Sequence, residues 1–304
     1  MMAIASGTDM TRALAEAGYL ADHRLALVTW LALQLERPLL VEGPAGVGKT
    51  DLARALAEAL SRELIRLQCY EGLDEGKALY EWDYAKQLLY AQLLREQIAS
   101  QTAGSASVAE AADRIADSDS AFFGRRFLIQ RPLLRAMTSD RPVVMLIDEV
   151  DRADPEFEAF LFEVLSEGQI TIPELGTVRA MSAPLFVLTS NGTRDMTDAL
   201  RRRCLHAFVD FPSPSQEQAI LELRVPGLGA TLARELAKFA EKLRDLELRK
   251  PPSISETIDW ARALLILGAS ALNVELVRST LGILVKHQDD REKVETKLEL
   301  MIEK

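Results

Sequence analysis

The chain of 304 residues carries 36 Lys and Arg against 46 Asp and Glu, a formal charge of −10, and it is 48% hydrophobic and 27% charged. That balance excludes disorder as the default state and makes nucleic acid and anionic membranes poor partners for the surface as a whole. The two cysteines, Cys69 and Cys204, are too few for a disulfide framework or a zinc site, and no apolar run approaches the roughly 18 residues of a membrane span. With no basic and apolar leader pattern at MMAIASGTDM, a cytoplasmic, unprocessed protein of two domains is expected.

Residues 10–36 repeat apolar positions at helical spacing until Pro38, which predicts one helix ahead of the core. Leu39-Leu40-Val41 is a short strand, Gly43 to Thr50 a glycine-rich loop, and DLARALAEAL a helix. ELIRLQCY (63–70) predicts a second strand, 75–99 a helix, and the Ser, Ala and Asp-rich stretch near 100–120 a surface insertion. VVMLID (143–148) and PLFVLTSN (184–191) have the unbroken apolar character of strands buried on both faces, with a helix over 155–166 and a hairpin over 169–180 between them. After a last short strand in HAFVDFP (206–212) every pattern is helical, interrupted at PGLG (226–229) and KPPS (250–253). Strands alternating with helices and then helices alone predict an α/β fold with a parallel sheet over 1–212 and a small all-α domain over 213–304.

Three motifs carry chemistry. Gly43-Pro44-Ala45-Gly46-Val47-Gly48-Lys49-Thr50 fits G-x-x-x-x-G-K-[ST] between a strand and a helix. In such a loop backbone N–H groups wrap phosphates, the lysine reaches the β- and γ-phosphates, and the Thr50 hydroxyl ligates Mg²⁺. Asp148 closes a buried strand where it can hold Mg²⁺, and Glu149 is placed to orient and deprotonate an attacking water. Asn191 closes the next strand and is a candidate to hold that water or the γ-phosphate, although an Asn in this position is ordinarily turn chemistry. Further on, Arg201, Arg202 and Arg203 sit near the end of a short helix, either complementing its C-terminus or offering a finger to a neighbouring subunit's nucleotide.

In this order the motifs resemble the AAA+ ATPases, and within them the MoxR family. LQCYEGLDEGKALYEWDY (67–84) and RKPPSISETIDWARALL (249–265) look like its CoxD branch, which accompanies carbon monoxide dehydrogenase and related molybdenum hydroxylases. The resemblance implies a P-loop αβα sandwich with a helical lid, ATP and Mg²⁺ at a subunit interface, and a homo-oligomer, usually a hexameric ring. It gives Lys49, Thr50, Asp148, Glu149 and Asn191 the Walker A, Walker B and sensor 1 roles, Arg203 the role of finger with Arg201 in reserve, and the hairpin near 169–180 a contact with clients. It also implies a partner protein with a von Willebrand factor A domain and a client metalloenzyme. SISETIDW departs from many relatives in carrying no lid arginine, and Arg262 beyond it reads as a solvated position.

Other readings are an ATP-dependent assembly module that hydrolyses little, a nucleic-acid motor, and a small-molecule kinase. The missing lid arginine favours the first, the acidic balance disfavours the second, and the Asp148-Glu149 pair with Asn191 favours water over a second substrate. Trp30, Trp82 and Trp260 are expected as core or interface anchors, with Trp82 and Tyr84 the most inviting partner contacts.

Overall fold

The structure is a computed structural model and describes residues 4–93, 125–172 and 176–302. Two helices, α1 (Gly7–Glu16) and α2 (His23–Gln34), precede the first strand. This corrects the single helix expected over 10–36: Gly18 turns the chain at φ +78°, and the Asp22 carboxylate caps α2 by accepting the Leu25 N–H at 2.7 Å. β1 (Leu39–Glu42) and α3 (Lys49–Ala59) flank the glycine-rich loop, and β2 (Leu64–Gln68) follows.

The helix expected over 75–99 is also corrected. It is split into α4 (Glu75–Leu79) and α5 (Tyr84–Leu93) by the strand β3 (Tyr80–Trp82). β3 pairs antiparallel with β4 (Leu128–Gln130), so a distant partner overrides the local helical spacing. Trp82 is buried there, while Tyr84 stays 67% exposed. Residues 94–99 and the insertion expected near 100–120 lie outside the described residues.

Next come α6 (Pro132–Met137), β5 (Val144–Asp148), α7 (Pro155–Glu167), and the antiparallel pair β6 (Gln169–Ile172) and β7 (Gly176–Arg179). β8 (Leu185–Ser190), α8 (Asp198–Arg203) and β9 (Leu205–Phe208) follow. Beyond them the described residues are helical: α9 (Pro214–Arg224), α10 (Ala230–Arg244), α11 (Ile254–Ile266), α12 (Val274–Thr280) and α13 (Gln288–Ile302).

Five strands form one parallel sheet in the order β2-β5-β8-β1-β9. Alternate side chains leave it in opposite directions and build two cores. Leu39, Val41, Val144, Leu146 and Val187 pack with α1, α2 and α3. Leu40, Met145, Ile147 and Leu188 pack with Leu133 and Met137 of α6 and Phe157 and Leu161 of α7. The expected αβα sandwich is therefore present, and the reason is visible in strands apolar on both faces. The C-terminal helices close on a third cluster around Leu236, Phe239 and Trp260, whose indole N–H donates to Thr280 Oγ1 at 2.8 Å.

From β1 the chain crosses to the sheet edge at β2, returns through β5 and β8, and adds β9 on the other side of β1. The carboxyl ends of β1 and β8 thus meet where the order reverses, which is where parallel sheets open a binding crevice. Among the described residues no helix is long and apolar enough to cross a membrane.

Candidate active site

At that crevice the segment Gly43 to Gly48 leaves β1 and enters α3. Gly43 runs so close to the 209 peptide that a Cβ would stand 1.9 Å from the Val209 carbonyl oxygen. Gly48, at φ +97°, begins α3 without a side-chain cap, which leaves the first helical N–H groups facing the cavity. The cavity is about 600 Å³ and is walled by Ala45 to Asp51, Asp148, Glu149 and Asn191. Its other end is lined by Tyr19, Phe208, Val209, Phe211 and Pro212 with Asp210 among them, and by Ile254 and Ile258 of α11. Tyr19 is half-buried there, and desolvation first, then Asp51 and Asp22, raise its phenol above the ordinary range.

Lys49 is 6% exposed, and its ammonium is folded back on the loop: Nζ donates to the carbonyls of Gly43 and Pro44 at 2.7 Å each and to Asn191 Oδ1 at 2.8 Å. Burial lowers its pKa, opposed by Asp151, Asp148 and Glu149. The motif lysine and the Asn at the end of β8 are therefore joined, as their order in the sequence suggests.

Asp148 ends β5 and is 2% exposed. It accepts from Thr50 Oγ1 at 3.0 Å and Thr189 Oγ1 at 2.6 Å on Oδ1, and from Arg66 at 2.6 Å on Oδ2. Glu149 takes the left-handed conformation at φ +56°, which is uncommon for a residue with a side chain and turns it out of the strand line. Its N–H donates to Thr189 Oγ1 at 2.9 Å. Its carboxylate accepts from Gln68 Nε2 and Arg152 Nη1 at 3.0 Å each and from Asn191 Nδ2 at 3.3 Å. Sequence reasoning missed Arg66, Gln68, Thr189 and Asp151. A signal existed for the first two, since residues two apart on a strand share a face. Asp151 fixes the turn after β8 by accepting from the N–H groups of Asn191 and Thr193 and from Thr193 Oγ1; burial raises its pKa, but these hydrogen bonds outweigh it and the net direction is down.

The arginines on α8 make no hydrogen bond or ion pair with Asp148 or Glu149 among the described residues. Arg201 Nη2 donates to Glu42 Oε2 at 2.9 Å, and Arg203 donates to the carbonyls of Leu165 and Ser166 at the end of α7. Arg202 is exposed, and its guanidinium has no hydrogen bond or ion pair among the described residues. α8 is set against α7 by Glu158, fully buried, which pairs with Arg194 and accepts the Thr197 N–H at 2.8 Å.

A sequence model of the AAA ATPase domain matches residues 26–178, half of the chain. This chain belongs to the AAA ATPase family. An uncharacterized protein of Staphylococcus saprophyticus is 26% identical over 268 residues, which are 86% of this chain and 88% of that protein. The chaperone protein ClpB of Corynebacterium diphtheriae is 31% identical over 206 residues, 63% of this chain but 20% of ClpB. Of solved structures, the RuvB Holliday junction branch migration motor of Thermotoga maritima aligns over 91% of this chain and 74% of its own, at 16% identity and a TM-score of 0.46, a loose likeness.

In this AAA ATPase the C-terminal helices touch the phosphate loop directly. Ser253 caps α11 in a reciprocal pair with Glu256, and the Ile254 N–H donates to the Gly46 carbonyl at 3.2 Å. α11 brings Ile254, Ser255 and Ile258 to the cavity, none of them charged, while Arg262 pairs with Asp259 at 3.2 Å outside it. A Cβ on Gly46, itself at φ +78°, would lie 2.2 Å from Ser253 Cβ. Gly46→Ala is expected to cost roughly 2–4 kcal/mol, from left-handed strain and overpacking together, or to relieve that cost by moving α11 off the loop. Calorimetric melting and titration with a fluorescent ATP analogue check this: a lower Tm or a weakened affinity is expected, and wild-type values for both would place α11 elsewhere.

Proposed function

We propose that this AAA ATPase is a Mg²⁺-dependent ATP hydrolase acting as a homo-oligomeric, hexameric ring of the MoxR type and CoxD-like branch. In this reading, residues 1–212 hold the nucleotide and 213–304 form a lid. The observation that carries it is the convergence of Lys49, Thr50, Asp148, Glu149 and Asn191 at one end of the sheet, around the uncapped start of α3. The residues fit the nucleotide and its metal: the uncapped N–H groups at the start of α3 border the cavity, and Thr50 Oγ1 and Asp148 Oδ1 stand 3.0 Å apart on its wall. Among the described residues no group of three His, Cys, Asp or Glu is placed to hold a metal alone, so Mg²⁺ would draw its remaining ligands from phosphate and water. Bound by Thr50 and Asp148, the ion would neutralise charge on the β- and γ-phosphates.

The chain's own groups have separable tasks in this reading. Lys49 turns from the loop carbonyls to the β- and γ-phosphates, and the N–H groups of Gly46 to Thr50 hold the phosphate oxygens. Glu149 orients the attacking water and takes its proton, with Asn191 positioning that water or the γ-phosphate. Gln68 and Arg152 hold Oε2 of the Glu149 carboxylate, while Oε1 meets, among the described residues, only Asn191 Nδ2 at 3.3 Å and keeps acceptor capacity for a water. The arginines of α8 supply a finger to the neighbouring subunit. Arg203, the residue favoured by sequence order, would first have to leave the α7 carbonyls. Such rings commonly assemble from like subunits, and among the described residues none of these arginines pairs with Asp148 or Glu149, which is in keeping with action in trans.

Hydrolysis would drive chaperone-like remodelling, or maturation of the metal centre of a molybdenum hydroxylase of the carbon monoxide dehydrogenase type, with a von Willebrand factor A domain protein as partner and the β6–β7 hairpin as contact. The net charge of −10 supports a protein client over nucleic acid. A cytoplasmic setting is part of this proposal, in keeping with two buried free thiols that burial pushes up to about 12.

A second reading, a slow-hydrolysing ATP-dependent assembly module that scaffolds a partner, is favoured by the uncharged face that α11 turns to the cavity. Phosphate release separates the two. With ATP and Mg²⁺ at about 100 times Kd, both readings predict stabilisation by about 2.7 kcal/mol. The hydrolase reading predicts many phosphates per subunit; release that stops near one per subunit while nucleotide stays bound selects the scaffold.

A further inference from the structure

Neither the sequence motifs nor the catalytic roles proposed above use Arg66. It lies on the edge strand β2, where its neighbours two residues away are Leu64 and Gln68. Its Nη2 donates at 2.6 Å both to Asp148 Oδ2 and to Gln68 Oε1. The pair is lopsided: the Asp148 side chain is 3% exposed, whereas that of Arg66 is 52% exposed and lines the nucleotide cavity. The inner oxygen, Oδ1, is served by the hydroxyls of Thr50 and Thr189. The only full charge set against Asp148 by an ion pair among the described residues is therefore Arg66.

The remaining cations on the cavity wall are engaged elsewhere. Lys49 donates to the loop carbonyls and Asn191, while Arg54 and Arg224 both pair with Asp51. A buried carboxylate needs a compensating cation, and a guanidinium in charge-assisted contact provides one before any metal arrives. A divalent ion on Oδ1 and a guanidinium on Oδ2 would sit on the same buried carboxylate, close enough for their like charges to repel and for each to weaken the other's hold on it. Arg66 has a long side chain and open cavity beside it, so it is the group that can move.

We propose that Arg66 is a positioning residue that holds Asp148 in the metal-free site and competes with the divalent cation for it, thereby setting the Mg²⁺ dependence of nucleotide binding. The proposal rests on Asp148 being the magnesium carboxylate. Its test is the Mg²⁺ concentration that half-saturates binding of a fluorescent ATP analogue to the full chain, measured for wild type, Arg66→Ala, Arg66→Lys and Asp148→Asn, with affinities in EDTA as reference. Removing the competitor is expected to lower the Arg66→Ala midpoint about ten-fold, with Arg66→Lys between it and wild type and the metal-free melting temperature of Arg66→Ala reduced. A purely structural role would lower melting without moving the midpoint. An unchanged or raised midpoint in Arg66→Ala, alongside a raised one in Asp148→Asn, overturns the proposal and leaves the assignment of Asp148 standing. A midpoint unmoved by Asp148→Asn overturns that assignment and the proposal with it.

Discussion

Glu149→Gln is expected to lower ATP turnover by about 10²–10⁴-fold while nucleotide affinity stays near wild type. The change is nearly isosteric and keeps the hydrogen-bond acceptor that meets Gln68 Nε2 at 3.0 Å, so the left-handed turn at φ +56° and the wall of the cavity should persist. What disappears is the negative charge proposed to take the proton of the attacking water. The ion pair with Arg152 is also lost, but Arg152 is more than half exposed, so little stability goes with it. Steady-state phosphate release, with fluorescent-nucleotide titration on the same samples, checks both halves. Turnover left intact would put the base elsewhere; lost binding would mean that the substitution damaged the phosphate loop.

Arg202→Ala is expected to cause the other large loss, about 10³–10⁵-fold in turnover, without a change in melting temperature. Among the three arginines of α8 it is the one whose guanidinium has no partner among the described residues, whereas Arg201 is held by Glu42 and Arg203 by the carbonyls ending α7. A guanidinium that already neutralises a helix C-terminus gives up those contacts if it is to serve a neighbour's phosphate. Arg203→Ala is accordingly expected to loosen the packing of α8 on α7 and lower Tm, with a smaller effect on turnover. The reverse pattern, Arg202→Ala silent and Arg203→Ala inactive yet fully stable, would return the finger to Arg203.

Much of the fold was legible because its signals are local. The loop Gly43 to Thr50 between Leu39-Leu40-Val41 and an Ala/Leu-rich helix fixes strand, turn and helix within one stretch of chain, and the unbroken apolar runs ending at Asp148 and Ser190 mark buried parallel strands. The failures are non-local or hinge on one backbone angle. Nothing near Trp82 announces a pairing with Leu128, and helical spacing across Gly18 conceals a turn. At the site, the motif residues were recognisable by type and order, but the groups that hold them were not. Thr189 bridges Asp148 and the Glu149 N–H only because β8 lies beside β5, and Arg66 and Gln68 meet the two acids only because β2 borders β5. The same applies to Arg203, whose engagement depends on how α7 ends.

If hydrolysis occurs at a site completed by a neighbouring subunit, complementation by mixing shows it most directly. Lys49→Ala removes the ammonium proposed to bind phosphate but leaves the arginines of α8 intact; the double variant Arg202→Ala, Arg203→Ala does the opposite. Each alone is expected to be inactive. Mixed, with light scattering confirming co-assembly, they should recover activity that peaks at intermediate ratios, because an intact arginine then faces an intact phosphate loop at some interfaces. Co-assembled mixtures that stay inactive at every ratio would contradict a site shared between subunits.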